Sequence, residues 1–158
     1  MFMERDKMTT KCDLATKRFT DGFQCSQCVL EVFAENYGLD PVLARKIGSP
    51  LAGGSGLGGE CGAVAGALIV LGMEYGMADA GDSDAFQNTF AKVGTFVEKF
   101  KERHGGINCQ QLIGLDVFSE EGLKEFKNKG IKLTQCIKYV EDAVRIVEEI
   151  IDQDQKSE

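Results

Sequence analysis

The chain contains six cysteines and one histidine, so thiol groups are the side chains best able to do chemistry. The six are Cys12, Cys25, Cys28, Cys61, Cys109 and Cys136. An even cysteine count in a small exported protein indicates a disulfide framework, but the first residues hold no apolar export signal and 158 residues suffice to bury a core. We therefore expect metal binding or redox chemistry, and a cytoplasmic location.

Four cysteines fall in the first turn of a predicted helix: Cys25, Cys61, Cys109 and Cys136. The amide groups and partial positive charge of a helix N-terminus stabilise a thiolate and lower the pKa of the thiol. We expect all four to be anionic, which is the form that binds metal or attacks a disulfide.

The segment Cys25-Ser26-Gln27-Cys28 is a CxxC motif, which is typical of thiol oxidoreductases when it begins a helix. Cys25, Cys28 and Cys61 are therefore candidate catalytic thiols. Cys28 is equally well interpreted as a resolving thiol or as a packing residue, and Cys12 is interpreted as packing. Val29 follows the motif where covalent haem attachment requires histidine, so c-type haem is excluded.

Glycine is concentrated between residues 48 and 81, which hold 11 of the 19 glycines. Backbone without β-carbons can approach an anion and direct N–H groups at it. The candidate cofactor-binding residues are Gly54, Gly56, Gly58, Gly59 and Gly62. Part of this segment matches the dinucleotide pattern GxGxxG, but no predicted strand precedes it, so nucleotide binding is disfavoured.

Helical spacing of apolar residues recurs along the chain and strand-like alternation does not, which predicts an all-α single domain over residues 1–158 with about six helices. The predicted helices run from Thr10 to Phe19, Phe23 to Asn36, Pro41 to Gly48, Cys61 to Gly72 and Asp82 to His104, with shorter helices after Asn108 and Ser119 and a last helix capped by Thr134. The Gly/Ala-rich helix is predicted to be central and fully surrounded.

The helix from Asp82 carries an apolar stripe that is predicted to be core: Phe86, Phe90, Val93, Val97 and Phe100. His104 ends this helix, where a cation interacts favourably with the helix dipole, so it is predicted to be a surface residue.

The charge balance limits the partners. Eighteen basic and 25 acidic residues give a net charge of −7, so nucleic acid is an unfavourable partner. The longest apolar stretch, Ala63 to Met73, is too short to span a bilayer. The sequence identifies no redox partner protein and leaves a homodimer open.

The segment Gly58-Gly59-Glu60-Cys61-Gly62-Ala63-Val64-Ala65-Gly66-Ala67, with Cys25 before it and Cys109 and Cys136 after it, resembles the redox-active family named for its C…GCAxxG…C…C pattern. The resemblance covers about residues 10–150. It implies a helical domain with four signature cysteines, a redox role, and relatives that include the helical part of split-Soret cytochromes, where an iron centre accompanies haem. The chain differs in its additional Cys12 and Cys28 and in its lack of CxxCH.

Three hypotheses follow. The leading one is an electron-transfer or redox-sensing protein with an iron–sulfur centre on Cys25, Cys61, Cys109 and Cys136. The second is a metal-free thiol–disulfide oxidoreductase. The third is a structural zinc site on the same four cysteines. Structural zinc sites usually use close cysteine pairs, whereas 35, 47 and 26 residues separate these four, so zinc is the less favoured metal.

Overall fold

The computed structural model describes residues 9–158, and its regular structure is helical. The eight α-helices are α1 (Lys11–Thr20), α2 (Cys25–Ala34), α3 (Pro41–Gly48), α4 (Gly62–Tyr75), α5 (Ser83–His104), α6 (Cys109–Ile113), α7 (Glu120–Asn128) and α8 (Ile137–Ser157). Within residues 9–158 there is no strand, and an isolated bridge joins Glu60 to Asn108. The predicted all-α class is confirmed. None of these helices is both long and apolar enough to cross a membrane.

Side-chain caps start most of the helices where the sequence predicts them. The Thr10 hydroxyl accepts a hydrogen bond from the Asp13 N–H at 3.0 Å, and the Asp40 carboxylate accepts one from the Leu43 N–H at 2.9 Å. Pro41 occupies the first position of α3, where its missing N–H removes no helical bond. The same kind of cap begins α5, α6 and α7, at Asp82, Asn108 and Ser119.

Three predicted boundaries are wrong. Helix α2 begins at Cys25 rather than Phe23, and α4 ends at Tyr75 rather than Gly72. Thr134 does not cap the last helix, because its hydroxyl donates to the Gly130 carbonyl at 3.0 Å as a residue inside a helix does. Helical backbone instead begins at Ile131 and passes through a π-helical turn, Lys132–Cys136, into α8.

Helices α2 and α4 pack directly on each other, and glycine allows that approach. A β-carbon on Gly66 would lie 2.9 Å from the Ser26 carbonyl oxygen, closer than real β-carbons approach backbone. Helix α4 also packs on α5 and α8, which agrees with its predicted central position. It is not fully surrounded, because Gly72 and Glu74 near its end are exposed.

The apolar stripe of α5 is core in one half only. Phe100 is fully buried, but Phe86 is 50% exposed and Phe90 is 59% exposed. These two rings pack on each other, with centroids 4.9 Å apart, instead of entering the core. Phe96, which lies outside the predicted stripe, is fully buried. The second half of α5 therefore provides its main contribution to the core.

His104 is not the surface residue that the sequence predicts. Its side chain is 11% exposed, and its Nε2 lies 2.8 Å from Asp142 Oδ2 on α8. Its ring also packs at a centroid distance of 4.7 Å on Phe100 and 4.8 Å on Tyr139. These contacts pack the end of α5 against α8, so the surroundings of His104 favour a structural role.

Candidate functional site

Three of the four signature cysteines lie at helix starts, as predicted. Cys25 is the first residue of α2, Cys109 is the first residue of α6, and Cys61 is the N-cap residue of α4. Cys136 differs, because the helical backbone already begins at Ile131. The prediction that Cys136 lies in a first turn is wrong, and its position comes from the π-helical turn that precedes α8.

A short antiparallel contact brings Cys61 and Cys109 to the same part of the molecule. The Cys61 N–H donates to the Ile107 carbonyl at 2.7 Å, and the Cys109 N–H donates to the Gly59 carbonyl at 2.6 Å. These bonds join residues that are far apart in the sequence. The backbones of the two cysteines therefore lie side by side, and charge on Cys109 is one of the causes, after burial, that raise the pKa of Cys61.

The glycine-rich loop before Cys61 folds into a compact turn. Four of its glycines and Ser55 have positive φ. Two features of position 54 require glycine. Its φ is +66°, and a β-carbon there would lie 2.2 Å from the Gly59 nitrogen. The Gly59 N–H donates to the Gly54 carbonyl at 3.1 Å. This part of the loop sets the backbone path into Cys61.

The sulfur of Cys25 lies directly against the backbone of α4. A β-carbon on Gly62 would stand 2.4 Å from Cys25 Sγ. Burial raises the pKa of this thiol, and the backbone N–H groups of Ser26, Gly53 and Ala63 oppose that shift. Three different segments thus direct donors at one thiol, an arrangement that stabilises negative charge on sulfur.

The predicted glycine positions have different environments in the structure. Gly56 lines the cavity in front of the cysteines, and Gly62 contacts Cys25 Sγ. Gly54 and Gly59 bond to each other within the turn, and Gly58 packs against the Gln110 side chain. Among the loop amides, that of Gly53, at the start of the predicted anion-binding loop, acts to lower the pKa of Cys25 against the effect of burial. Cofactor binding by the selected glycines stays a prediction.

Three of the four signature cysteines, Cys25, Cys109 and Cys136, line one cavity of about 490 Å³. Cys61 is 5% exposed and is not part of this lining. Burial raises the pKa of Cys61, Cys109 and Cys136, and charge on Cys25 is the next cause for each, as it also is for Cys28 on α2. We call Cys25, Cys61, Cys109 and Cys136, which come from four separate segments, the thiol cluster.

Burial favours the protonated form of these thiols in the metal-free protein. Loss of solvation raises the pKa of Cys109 to about 11 and that of Cys136 to about 12. It also raises the pKa of Cys25 and Cys61, although backbone N–H groups oppose the shift. The prediction that all four are anionic is wrong for the metal-free chain, because the desolvation cost exceeds the effect of the helix N-termini.

These shifts make the stability of the metal-free protein depend on pH. Above about pH 9 the unfolded chain loses thiol protons that the folded protein keeps, so the unfolded state binds fewer protons and stability falls as pH rises. For Cys109 and Cys136 the loss extends to their folded pKa values, about 11 and about 12. We expect the free energy of unfolding of the reduced protein to decrease by roughly 1–3 kcal/mol between pH 8 and pH 10.5.

Urea unfolding at the two pH values measures this decrease. A variant with both Cys109→Ser and Cys136→Ser is the control. The three tyrosines with raised pKa values, Tyr37, Tyr75 and Tyr139, contribute in the same direction in both proteins. The variant should therefore show a smaller decrease, and an equal decrease would contradict the assignment.

The remaining two cysteines lie outside the cavity lining. Cys28 is fully buried in α2, and burial raises the pKa of its thiol to about 12. Cys12 lies half-buried on α1. Their surroundings favour the packing interpretation, and the role of Cys28 as a resolving thiol stays a prediction.

Two residues that line the cavity were not predicted from the sequence as site residues. Lys132 lines it from the π-helical turn, and Phe118 lines it from the loop before α7. Lys132 precedes Cys136 by four residues, so placing the helix start at Ile131 would have put both on one helix face. No local sequence signal indicates the position of Phe118.

The fold and the site together define a small all-α protein with a cavity lined by Cys25, Cys109 and Cys136. A family model described as "Putative redox-active protein (C_GCAxxG_C_C)" matches residues 23–150, and the chain belongs to this family. The resemblance found in the sequence is confirmed, and the matched range includes the whole thiol cluster. No curated protein and no solved structure matches the chain. The relation to split-Soret cytochromes stays a prediction.

Proposed function

We propose that the thiol cluster holds an iron–sulfur cluster and that the protein transfers electrons or senses redox state through it. The observation that carries this proposal is that Cys25, Cys109 and Cys136 come from separate segments to line one cavity, while charge on Cys25 and Cys109 acts on the buried thiol of Cys61. Four cysteine thiolates are the usual ligand set of iron–sulfur clusters. When bound, such a cluster accepts and releases one electron, and the protein supplies the binding site and the electrostatic environment.

The backbone around Cys25 supports this choice. Hydrogen bonds to cluster sulfurs, and the burial of a cluster, set its reduction potential. The N–H groups of Ser26, Gly53 and Ala63 are already directed at Cys25 Sγ. Because these donors stabilise the more negative reduced state, they would raise the potential. Lys132 on the cavity wall acts in the same direction, because it is a cation beside Cys136.

The thiols are not arranged as a preformed site for a single ion. Within the part of the chain that the structure describes, no three His, Cys, Asp or Glu side chains are grouped as ligands of one ion. A tetrahedral zinc site requires its four sulfurs within about 2.3 Å of the same ion. In a [4Fe–4S] cluster each thiolate binds a different iron, so its sulfurs lie farther apart than those of a zinc site.

Reconstitution without oxygen tests the proposal. The reduced protein is incubated with ferrous iron and sulfide, desalted, and analysed for iron, acid-labile sulfide and visible absorbance. We expect iron and sulfide in equal amounts with a broad absorbance that bleaches on reduction. Serine at any of the four signature cysteines should reduce the iron content several-fold.

Cys12→Ser is the matched control, because Cys12 does not line the cavity and charge on Cys25 is not among the causes of its raised pKa, and it should keep the iron content. A protein that takes up neither iron nor sulfide would contradict the proposal. Zinc at one ion per chain without visible absorbance would favour the structural zinc site. Disulfide exchange that survives complete metal removal would favour the thiol–disulfide oxidoreductase.

A further inference from the structure

The cavity that Cys25, Cys109 and Cys136 line also has apolar walls, which a four-cysteine metal site would not need. Its wall contains Phe19, Ile113, Val117 and Phe126, and its outer edge contains Phe118 and Leu123. Phe118 is 57% exposed and Leu123 is 40% exposed, whereas the cysteines are half-buried or buried. The cysteines are therefore less exposed than Phe118 and Leu123, and we call the part of the lining that these two residues form the entrance. A volume of about 490 Å³ lies within the range of small-molecule sites.

The backbone beneath Phe118 is shaped to hold its ring. A β-carbon on Gly53 would lie 2.6 Å from two Phe118 ring atoms, and one on Gly56 would lie 4.0 Å from the ring. Phe118 thus packs on the glycine-rich loop while more than half of its surface stays exposed. This packing fixes one wall of the entrance, so the apolar surface is part of a formed cavity.

The charge of the cavity identifies the kind of ligand. Its lining contains one cation, Lys132, and no carboxylate, although the chain has a net charge of −7. Lys132 Nζ lies 4.8 Å from the Phe19 ring centroid and 3.2 Å from the Phe23 carbonyl oxygen. Among the described residues it forms no ion pair with an acidic side chain, unlike Lys92 and Lys99. A half-buried cation in an apolar wall complements an anionic group on an apolar molecule.

We propose that this entrance binds a small apolar organic anion, with its flat apolar body between Phe118 and Leu123 and its anionic oxygen on Lys132. The binding site is built from residues of the metal-free chain, so binding does not depend on the proposed iron–sulfur cluster. The ligand would lie directly above three of the cluster thiols.

Calorimetric titration of the reduced, metal-free protein tests this site, with 2-naphthoate as the anionic probe and 2-naphthamide as its neutral counterpart. We expect 2-naphthoate to bind at least tenfold more tightly than 2-naphthamide. Lys132→Gln should weaken 2-naphthoate about tenfold and leave 2-naphthamide unchanged, whereas Lys132→Arg should keep the preference for the anion. Lys138→Gln removes an exposed lysine outside the cavity and should change neither affinity.

Phe118→Ala tests the apolar part of the site and should weaken both probes, while Phe86→Ala, which removes an exposed phenylalanine of α5, should weaken neither. Thermal unfolding of each variant verifies that it is folded. Absence of 2-naphthoate binding, equal affinity for the two probes, or an affinity that Lys132→Gln leaves unchanged would overturn the inference. Iron and sulfide content is measured separately, so failure of the cluster and failure of this site give different results.

Discussion

Gly62→Ala is expected to abolish iron and sulfide uptake and to destabilise the protein. The added methyl group would stand 2.4 Å from Cys25 Sγ, so the sulfur or the start of α4 has to move. It would also stand 3.1 Å from the Leu51 carbonyl oxygen, which blocks a simple shift of the helix. Overpacking of this kind costs about 1–3 kcal/mol. Urea unfolding and iron content after reconstitution measure the two effects.

Gly72→Ala on the same helix is the matched control. No heavy atom outside the helix's own backbone and its chain neighbours lies within 4 Å of a β-carbon at this position. Alanine is a better helix former than glycine, so this variant should gain about 0.5–1 kcal/mol and keep its iron content. The role given to Gly62 is contradicted if both variants retain wild-type stability and iron content.

Local chemistry made the helix starts predictable from the sequence. Thr10, Asp40 and Asn108 accept hydrogen bonds from nearby backbone N–H groups, and such short-range caps are encoded within four residues. The same signal gave a wrong helix start at Thr134, because the Thr134 hydroxyl donates to the Gly130 carbonyl one turn earlier. A threonine inside a helix and a threonine at its start look the same in a sequence.

The thiol cluster itself is only partly predictable. The C…GCAxxG…C…C pattern indicated four cysteines, and three of them, Cys25, Cys109 and Cys136, line one cavity. The protonation state could not be predicted in the same way. A helix start lowers the pKa of a thiol through local amides, whereas burial raises it through every element packed around it. The raised pKa of Cys61 shows that the tertiary effect is the larger one.

The site depends on the position of α2, and Glu31 fixes that position. This carboxylate is 7% exposed, and its Oε1 accepts a hydrogen bond from Arg45 Nη1 at 2.6 Å. Arg18 Nε lies 3.3 Å from the same oxygen. Arg18 is on α1 and Arg45 is on α3, so one buried side chain links three helices. Removing one member of such a group leaves the remaining charges poorly solvated.

Glu31→Ala should therefore lower the free energy of unfolding by about 3 kcal/mol, as measured by urea denaturation. Asp21→Ala is the control, because Asp21 pairs at 2.6 Å with Lys17 in an exposed ion pair, and it should cost less than about 1 kcal/mol. Similar losses in the two variants would contradict a special role for Glu31. Because Cys25 begins the helix that Glu31 anchors, folded Glu31→Ala protein should also bind iron less completely than the control.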